Sequence, residues 1–226
     1  MDMYKEEMNV SGADLYSVLQ KIFPDEKDLA LTERLEAARG PLLSWYQGNK
    51  RDLPWRENQD AYRIWISEIM LQQTRVEAVK PYYERFLKAL PDVAALAACP
   101  EDQLMKLWEG LGYYNRARNM QKAAVTVTEY GGVLPADYGK LLELKGIGSY
   151  TAGAIASIAY GIPVPAVDGN VLRILTRVAA DDTDIMKQSF RSAVEAQLGS
   201  MMRDLTVPEG LRRALRDENV PGELNQ

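Results

Sequence analysis

A glutamate within an apolar helical pattern is the first candidate for proton-transfer chemistry. Glu68 lies in the helical pattern of residues 62–72, and large apolar side chains lie one turn before and after it: Ile64, Trp65 and Leu71. Apolar neighbours remove water from a carboxyl group, and this favours the protonated form that a general acid needs near neutral pH. The spacing fits equally well a glutamate at the edge of the apolar stripe with its carboxylate in water.

A second carboxyl group, Asp168, directly precedes the helical pattern of residues 170–180. Its simplest role is the N-cap of that helix, which stabilises a helix by about 1 kcal/mol. The same position favours the charged carboxylate, because helix N–H groups donate to it. Glu68 and Asp168 would then hold opposite protonation states, as cleavage of a glycosidic bond through an oxocarbenium-like state requires. Their spacing in the chain does not show whether the two groups meet.

Two glycines close a short turn between two helical patterns, in the string LKGIGSYTA of residues 144–152. Gly146 and Gly148 can both adopt positive φ, so that backbone N–H groups converge before a helix and form a nest for one phosphate. An ordinary helical hairpin with a glycine C-cap is the alternative. The complete string, with an apolar residue between the glycines and Thr-Ala after them, favours the helix-hairpin-helix DNA-binding motif.

The composition narrows the chemistry that this chain can perform. Among its 226 residues there is no histidine and one cysteine, Cys99. A Ser-His-Asp triad, a histidine zinc site, an intrachain disulfide and a metal cluster held by several thiolates are therefore excluded. The net charge of −5 and the pI of about 5.0 argue slightly against a small basic DNA-binding module, although they do not locate charge on the surface.

Helical spacing of apolar residues dominates the chain, and the only strand-like run, residues 161–167, contains two prolines. We therefore predict an all-α fold of many short helices. The chain has neither a signal-peptide pattern nor an apolar run near the ~20 residues of a membrane span, so we expect a cytoplasmic protein. The helical patterns cover residues 31–46, 62–72, 76–90, 102–108, 114–130, 138–144, 151–160, 170–180 and 190–201, with a weak one at 211–215.

Five strings follow one another in the chain: LPWR (53–56), SEIMLQQTRVEAV (67–79), WEGLGYYNRARN (108–119), LKGIGSYTAGAI (144–155) and AVDGNVLRIL (166–175). In this order they resemble the adenine DNA glycosylase (MutY) family of the helix-hairpin-helix, Gly/Pro-rich-loop, Asp superfamily. The resemblance implies a six-helix barrel lobe and a second lobe built from N- and C-terminal helices. It also implies a monomer that acts in base excision repair on double-stranded DNA. Adenine paired with 8-oxoguanine or guanine would be flipped out and its N-glycosidic bond hydrolysed.

The resemblance also implies roles for the residues that match these strings. Glu68 would protonate adenine, at N7, Asp168 would stabilise the sugar cation, and Tyr150 would be the aromatic beside it. The base pocket would be lined by Arg51, Leu53, Trp55, Arg56 and Leu71. The residues on the DNA would be Gln73 and Tyr113 in the base stack, Gly146 and Gly148 on a phosphate, and Arg116 and Arg118 as further phosphate partners. A solvated basic face is the alternative for the two arginines.

Tyr150 distinguishes between reaction types within the superfamily. Lyases carry a Schiff-base lysine at this position, directly before Thr-Ala, whereas Lys145 here precedes the glycines and is misplaced for that role. The sequence therefore favours monofunctional hydrolysis over lyase activity. The alternative function is a catalytically impaired helix-hairpin-helix protein that binds DNA without releasing a base.

The sequence departs from the family after residue 202. Members normally carry a [4Fe–4S] cluster on four cysteines and a C-terminal domain that recognises 8-oxoguanine; neither is found here, so we expect no cofactor and no metal site. A truncated gene product, an excised fragment and a natural cluster-free form all fit this pattern. We predict an N-terminal extension (1–29), a barrel lobe (56–165) with the hairpin at 137–160, and an incomplete terminal-helix lobe (30–55 and 166–226).

Overall fold

The structure, a computed structural model, describes residues 31–203, with side chains from residue 33 onward. Ten α-helices, one 3₁₀ turn and one short π-helical segment form the regular structure of this part of the chain, which contains no β-strand. The all-α prediction is therefore confirmed. The predicted extension (1–29), the helical pattern at 211–215 and the rest of the chain after residue 203 lie outside the described residues.

The helices follow one another with short connections. They are α1 (Leu31–Asn49), the 3₁₀ turn (Pro54–Arg56), α2 (Ala61–Leu71), α3 (Val76–Ala89), α4 (Val93–Ala98), α5 (Glu101–Trp108), α6 (Asn115–Glu129), α7 (Tyr138–Glu143), α8 (Ser149–Ala154), the π segment (Ile155–Ala159), α9 (Gly169–Ala179) and α10 (Gln188–Arg203). The sequence analysis missed α4, because its six residues, VAALAA, are all apolar and no polar residue marks a helical period. Residues 161–167 form an irregular segment, as their prolines predict.

Aspartate N-caps start four of these helices. The side chains of Asp60, Asp92 and Asp137 accept hydrogen bonds from backbone N–H groups three residues later, at 2.7 to 2.8 Å, and Asp168 caps α9 in a similar way. An aspartate at this position satisfies an N–H group that has no partner within the helix. The caps fix where α2 and α9 begin, and these two helices carry the candidate carboxyl groups.

Two groups of buried apolar residues form the interior of the described region. The larger one runs from Leu53 to Ala166 and includes the fully buried rings of Trp65, Phe86 and Trp108. Helix α2 lies within it and packs against α3, α8 and the π segment. The smaller group joins α9 and α10 to α1: Val167, Leu172, Leu175 and Val194 pack against partly buried side chains that include Leu35.

The chain passes from the larger to the smaller core at residues 166–167, immediately before Asp168. Asp168 thus lies where the two packed units meet. The bounds of the predicted lobes stay a prediction. No helix among residues 31–203 has the length and apolar character needed to cross a membrane.

Candidate active site

A cavity of about 130 Å³ opens between the 3₁₀ turn, α2, α8 and the π segment. It brings together side chains from residues 51–56, 64–71 and 150–158, which are far apart in the chain. Its lining contains the five predicted pocket residues, Arg51, Leu53, Trp55, Arg56 and Leu71, together with Glu68 and Tyr150. Ile64, Ser67, Val76 and Ile158 also line it, and the sequence analysis did not assign these four to the pocket. Of these four, Ile64 carries a readable signal, since it lies one turn before Glu68 on the same face of its helix.

Glu68 is half-buried and lies on the pocket side of α2. Removal from water is the main cause that raises its pKa from 4.5 to about 7. A hydrogen bond with the Tyr150 hydroxyl and the positive charge of Arg56 oppose this rise, and the negative charge of Asp168 adds to it. Both the protonated and the charged form of Glu68 are therefore populated at neutral pH.

Tyr150 and Arg56 complete the surroundings of this carboxyl group. Burial and the neighbouring charges of Glu68 and Asp168 raise the pKa of Tyr150 far above its usual value, so its hydroxyl stays protonated and donates to Glu68. The guanidinium of Arg56 lies 5.6 Å from the ring centre of Tyr46, and burial lowers its pKa. Beside the acid, the pocket therefore holds the Arg56 cation and the Tyr150 O–H donor, and Arg51 is a second cation in its lining.

Asp168 is the N-cap of α9. Its Oδ1 accepts hydrogen bonds from the backbone N–H groups of Asn170 and Val171 at 2.9 and 2.8 Å, and its Oδ2 accepts one from the Asn170 side-chain amide at 2.8 Å. These three hydrogen bonds fix the carboxyl group at the N-terminal end of α9, where the helix dipole is positive. Its charge affects both Glu68 and Tyr150, so the two carboxyl groups are neighbours in space, which the sequence alone did not show.

Close backbone packing holds the segment that leads to Asp168. A Cβ atom added to Gly153 of α8 would lie 2.4 Å from the carbonyl oxygen of Pro165, so only glycine allows this approach. From α10, Arg191 donates a hydrogen bond of 2.6 Å to the carbonyl of Val167. Helix α8, which carries Tyr150, is thus packed directly against the segment that carries Asp168.

The turn between α7 and α8 follows the prediction at one glycine and departs from it at the other. Gly146 has a φ of +84°, and a Cβ there would lie 2.8 Å from the Cβ of Asn119. Gly148 has a φ of −95° and a ψ of −178°, so the prediction of positive φ is wrong for it. Its extended backbone is the N-cap of α8, a position that itself requires a non-helical conformation. No atom lies within 4 Å of where a Cβ on Gly148 would be.

Gln73 and Tyr113, the two residues predicted to enter a base stack, share an unusual backbone conformation. Their φ angles are +57° and +46°, and Ala180 is the only other non-glycine residue with positive φ among the described residues. Both side chains are exposed, Tyr113 to 66%. Such conformations cost about 1–3 kcal/mol each and persist where surrounding contacts enforce them, often at functional sites.

The two arginines predicted as phosphate partners differ in their surroundings. Arg118 is exposed and forms a 2.7 Å ion pair with Glu101, and its phosphate role stays a prediction. Arg116 is half-buried, and both terminal nitrogens of its guanidinium donate to backbone carbonyls of the protein. For Arg116, neither the phosphate contact nor a solvated basic face agrees with this arrangement, because these donors are already occupied.

A second cavity, of about 120 Å³, lies beside these loops, and Gln72, Arg116 and Gly146 all line it. The end of α2, the start of α6 and the hairpin turn therefore meet around one space. All residues predicted to contact DNA lie in or next to these three segments, with Gly148 at the end of the hairpin turn and Arg118 in the first turn of α6.

The residues of this chain do not fit a [4Fe–4S] cluster. Such a cluster needs several thiolates, whereas Cys99 is the single cysteine of the sequence and lies buried at the end of α4. Among residues 31–203, no group of three or more His, Cys, Asp or Glu side chains is arranged to hold a metal ion.

Sequence comparison finds relatives in several organisms. The chain is 42% identical over 200 residues to an adenine DNA glycosylase of Homo sapiens, a match that covers 84% of this chain and 34% of the relative. It is 43% identical over 145 residues to an adenine DNA glycosylase of Mycolicibacterium smegmatis, which covers 63% of this chain and 50% of the relative. The chain therefore spans about a third to a half of the length of these relatives.

Solved structures of DNA glycosylases share the fold. A thermostable thymine-DNA glycosylase superimposes with a TM-score of 0.67 at 26% identity, covering 82% of both chains. A non-covalent endonuclease III–DNA complex gives a TM-score of 0.57 at 18% identity and covers 88% of this chain and all of the other, which shows the fold alone. Residues 66–198 match the family described as HhH-GPD superfamily base excision DNA repair protein. Since this match covers more than half of the sequence, the chain belongs to the HhH-GPD superfamily of base excision DNA repair proteins.

Proposed function

We propose that this chain is the catalytic core of a monofunctional adenine DNA glycosylase that hydrolyses the N-glycosidic bond of adenine opposite 8-oxoguanine or guanine. One observation carries the proposal: Glu68, with its pKa raised to about 7, lines a base-sized cavity, with the charged Asp168 as its neighbour. A pair of carboxyl groups held in opposite protonation states is what cleavage of a glycosidic bond needs. The names of the relatives favour adenine as the base.

Proton transfer from Glu68 to N7 of a flipped adenine is the first chemical step in this mechanism. A pKa of about 7 suits a general acid, because the proton is present on the enzyme at neutral pH and is still released readily. Protonation makes adenine a better leaving group, so the bond between C1′ and N9 breaks and its electron pair goes to the base. The Tyr150 hydroxyl donates to Glu68 and orients the carboxyl group throughout.

The remaining deoxyribose is an oxocarbenium-like cation, which Asp168 stabilises by its negative charge. Its Oδ1 accepts two backbone N–H groups, so the carboxylate is fixed before the cation forms and little reorganisation is needed. Water then adds to C1′ and leaves an abasic site, and the proton that this water loses is available to the Glu68 carboxylate. Tyr150 provides no amine for a Schiff base, so the strand is not cut.

Contacts with DNA are assigned to the exposed loops beside this pocket. Gln73 and Tyr113 would enter the base stack around the flipped nucleotide, offsetting the few kcal/mol that unstacking costs. The backbone at Gly146 and Gly148 would hold a phosphate, with Arg118 nearby as a further partner. We also propose that the protein binds duplex DNA as a monomer in the cytoplasm, where it reaches chromosomal DNA.

Base release from defined duplexes tests this function. Duplexes with adenine opposite 8-oxoguanine, guanine or thymine, and one with thymine opposite guanine, are incubated with excess protein, and abasic sites are counted after alkaline cleavage. We expect release of adenine opposite 8-oxoguanine and guanine, with no strand cleavage before alkali. Release of thymine from the T:G duplex would instead assign the chain to the thymine-specific class.

The competing function is DNA binding without chemistry. It predicts salt-dependent binding of all four duplexes, no abasic sites, and no effect of Asp168→Asn on binding. In the glycosylase, Glu68→Gln and Asp168→Asn both abolish base release while the protein still binds DNA. Equal base release by wild type and Glu68→Gln would remove Glu68 from the mechanism.

A further inference from the structure

The guanidinium group of Arg116 joins two segments that are more than 35 residues apart in the chain. It extends from the first turn of α6 to the end of α2, where Nη1 donates to Gln72 at 2.6 Å, Ile69 at 2.7 Å and Met70 at 3.4 Å. On the other side, Nη2 donates to carbonyls of the α5–α6 loop, Leu111 at 3.0 Å and Gly112 at 3.4 Å.

In each of these two segments, the residue directly after the carbonyls that Arg116 binds is exposed and has a positive φ. Gln73, with a φ of +57°, follows Gln72, and Tyr113, with a φ of +46°, follows Gly112. The α5–α6 loop is shaped by two further positive φ angles, +98° at Gly110 and +69° at Gly112. One side chain therefore holds the backbone on which both exposed residues are mounted.

The carbonyls at the end of α2 are suited to a cation. The last carbonyls of a helix have no partner within it and carry the negative end of the helix dipole. Two aromatic rings add to this environment, since the Arg116 guanidinium carbon lies 5.5 Å from the ring centre of Trp108 and 5.6 Å from that of Tyr113. Trp108 also donates to the Gly112 carbonyl at 3.0 Å, which fixes the loop from its other side.

We infer that Arg116 is a positioning residue that couples the Gln72–Gln73 and Gly112–Tyr113 segments, so that Gln73 and Tyr113 enter the duplex as one unit. The role of these two residues in the duplex rests on the proposed function. The coupling itself rests on the hydrogen bonds and would be present in the free protein.

Arginine is the side chain that this geometry requires. Its two terminal nitrogens carry four N–H groups in a rigid, planar arrangement, which lets one group serve carbonyls on two sides. A lysine ammonium keeps the charge but has three donors at one point, so it would reach one segment and leave the other without its contact. A phosphate partner, in contrast, would largely tolerate lysine, because phosphate binding depends mainly on charge.

Hydrogen exchange of the DNA-free protein tests the coupling without any assumption about activity. We expect Arg116→Lys and Arg116→Met to speed exchange about tenfold or more in peptides covering both 69–75 and 110–116, and to leave 138–146 unchanged. Lys122→Met, which removes an exposed positive charge from the same helix, is the matched control and should exchange like wild type. Faster exchange confined to 110–116, or wild-type exchange in Arg116→Lys, would overturn the inference.

A second measurement follows the flipping step, with 2-aminopurine opposite 8-oxoguanine as a fluorescent probe of unstacking. We expect both Arg116 variants to reduce the fluorescence increase and to slow base release about 10- to 100-fold, with the slope of DNA affinity against salt unchanged. A salt slope reduced by about one in Arg116→Met, with wild-type exchange, would identify a phosphate contact instead.

If Arg116→Met does not fold, Arg116→Lys decides. If wild type itself neither flips nor releases a base, the proposed function fails and exchange still decides the coupling.

Discussion

Replacing Glu68 with glutamine should abolish activity and stabilise the protein at the same time. Burial raises the pKa of Glu68 from 4.5 to about 7, and a difference of that size corresponds to about 3 kcal/mol between its protonated and charged forms. Above pH 7 the folded protein must keep this carboxylate charged in a poorly hydrated pocket. Glutamine has nearly the same shape, can still accept a hydrogen bond from Tyr150, and never carries the charge.

The pH dependence gives this prediction its sign. Because the pKa of Glu68 is higher in the folded than in the unfolded state, the folded state holds the extra proton between about pH 4.5 and 7. The free energy of unfolding of the wild type therefore falls as pH rises through this window. Above the window, the contribution of Glu68 to this free energy is constant. The glutamine variant lacks this loss. Its free energy of unfolding should therefore exceed that of the wild type by near zero at pH 4.5 and by about 2–3 kcal/mol at pH 8, allowing for partial access of water to the pocket.

Urea unfolding at a series of pH values from 4.5 to 8.5 measures this difference, and Glu129→Gln is the matched control. Glu129 is an exposed carboxylate at the end of α6, so its variant should follow the wild-type curve. In parallel, base release by wild type should decline with a one-proton slope above pH 7, and Glu68→Gln should lose at least about 100-fold at every pH. If the difference in free energy of unfolding does not change between pH 5 and 8, the conclusion that Glu68 has a raised pKa in the folded protein is refuted.

Four further substitutions test the surroundings of this acid and the hairpin turn. Asp168→Asn keeps an N-cap but removes the charge, so base release should be lost while the melting temperature moves by only a few degrees. Gly146→Ala, at a φ of +84°, should destabilise the fold by about 1–2 kcal/mol in urea unfolding, whereas Gly148→Ala should leave it within about 0.5 kcal/mol. A loss of DNA affinity in Gly148→Ala therefore reports a DNA contact, and unchanged affinity would exclude one. In Gly153→Ala the new Cβ collides with the Pro165 carbonyl, so stability should fall by about 1–3 kcal/mol and base release should fall with it, as Asp168 is displaced; full activity would contradict this packing argument.

The helices could be predicted because their signals are local. Apolar periodicity lies within the segments that it defines, as does the Asp168 N-cap, and the observed helices follow both. The short α4 was missed because its residues are all apolar and show no alternation with polar ones. A glycine at position 148 can adopt either positive or negative φ, and its place as the N-cap of α8 selects the extended conformation.

The site required contacts that no local pattern contains. The hydrogen bond between Glu68 and Tyr150 joins residues 82 positions apart, and the sequence alone left a solvated Glu68 equally plausible. For Arg116 the sequence predicts a phosphate partner, with a solvated basic face as the alternative. Three of its acceptors are backbone carbonyls 44 to 47 positions away, and carbonyl groups have no sequence signature.

One helix connects the chemistry of this site to its contacts with DNA. Glu68 faces the pocket from the middle of α2, and the same helix ends at Leu71, beside the Gln72 carbonyl that Arg116 holds. A movement of Gln73 on entering the duplex would therefore be transmitted to the backbone that supports the acid, because the intervening turn is hydrogen-bonded and buried in the core. Loosening Arg116 should accordingly reduce base release more than it reduces DNA affinity, since the acid loses its alignment in a complex that still forms.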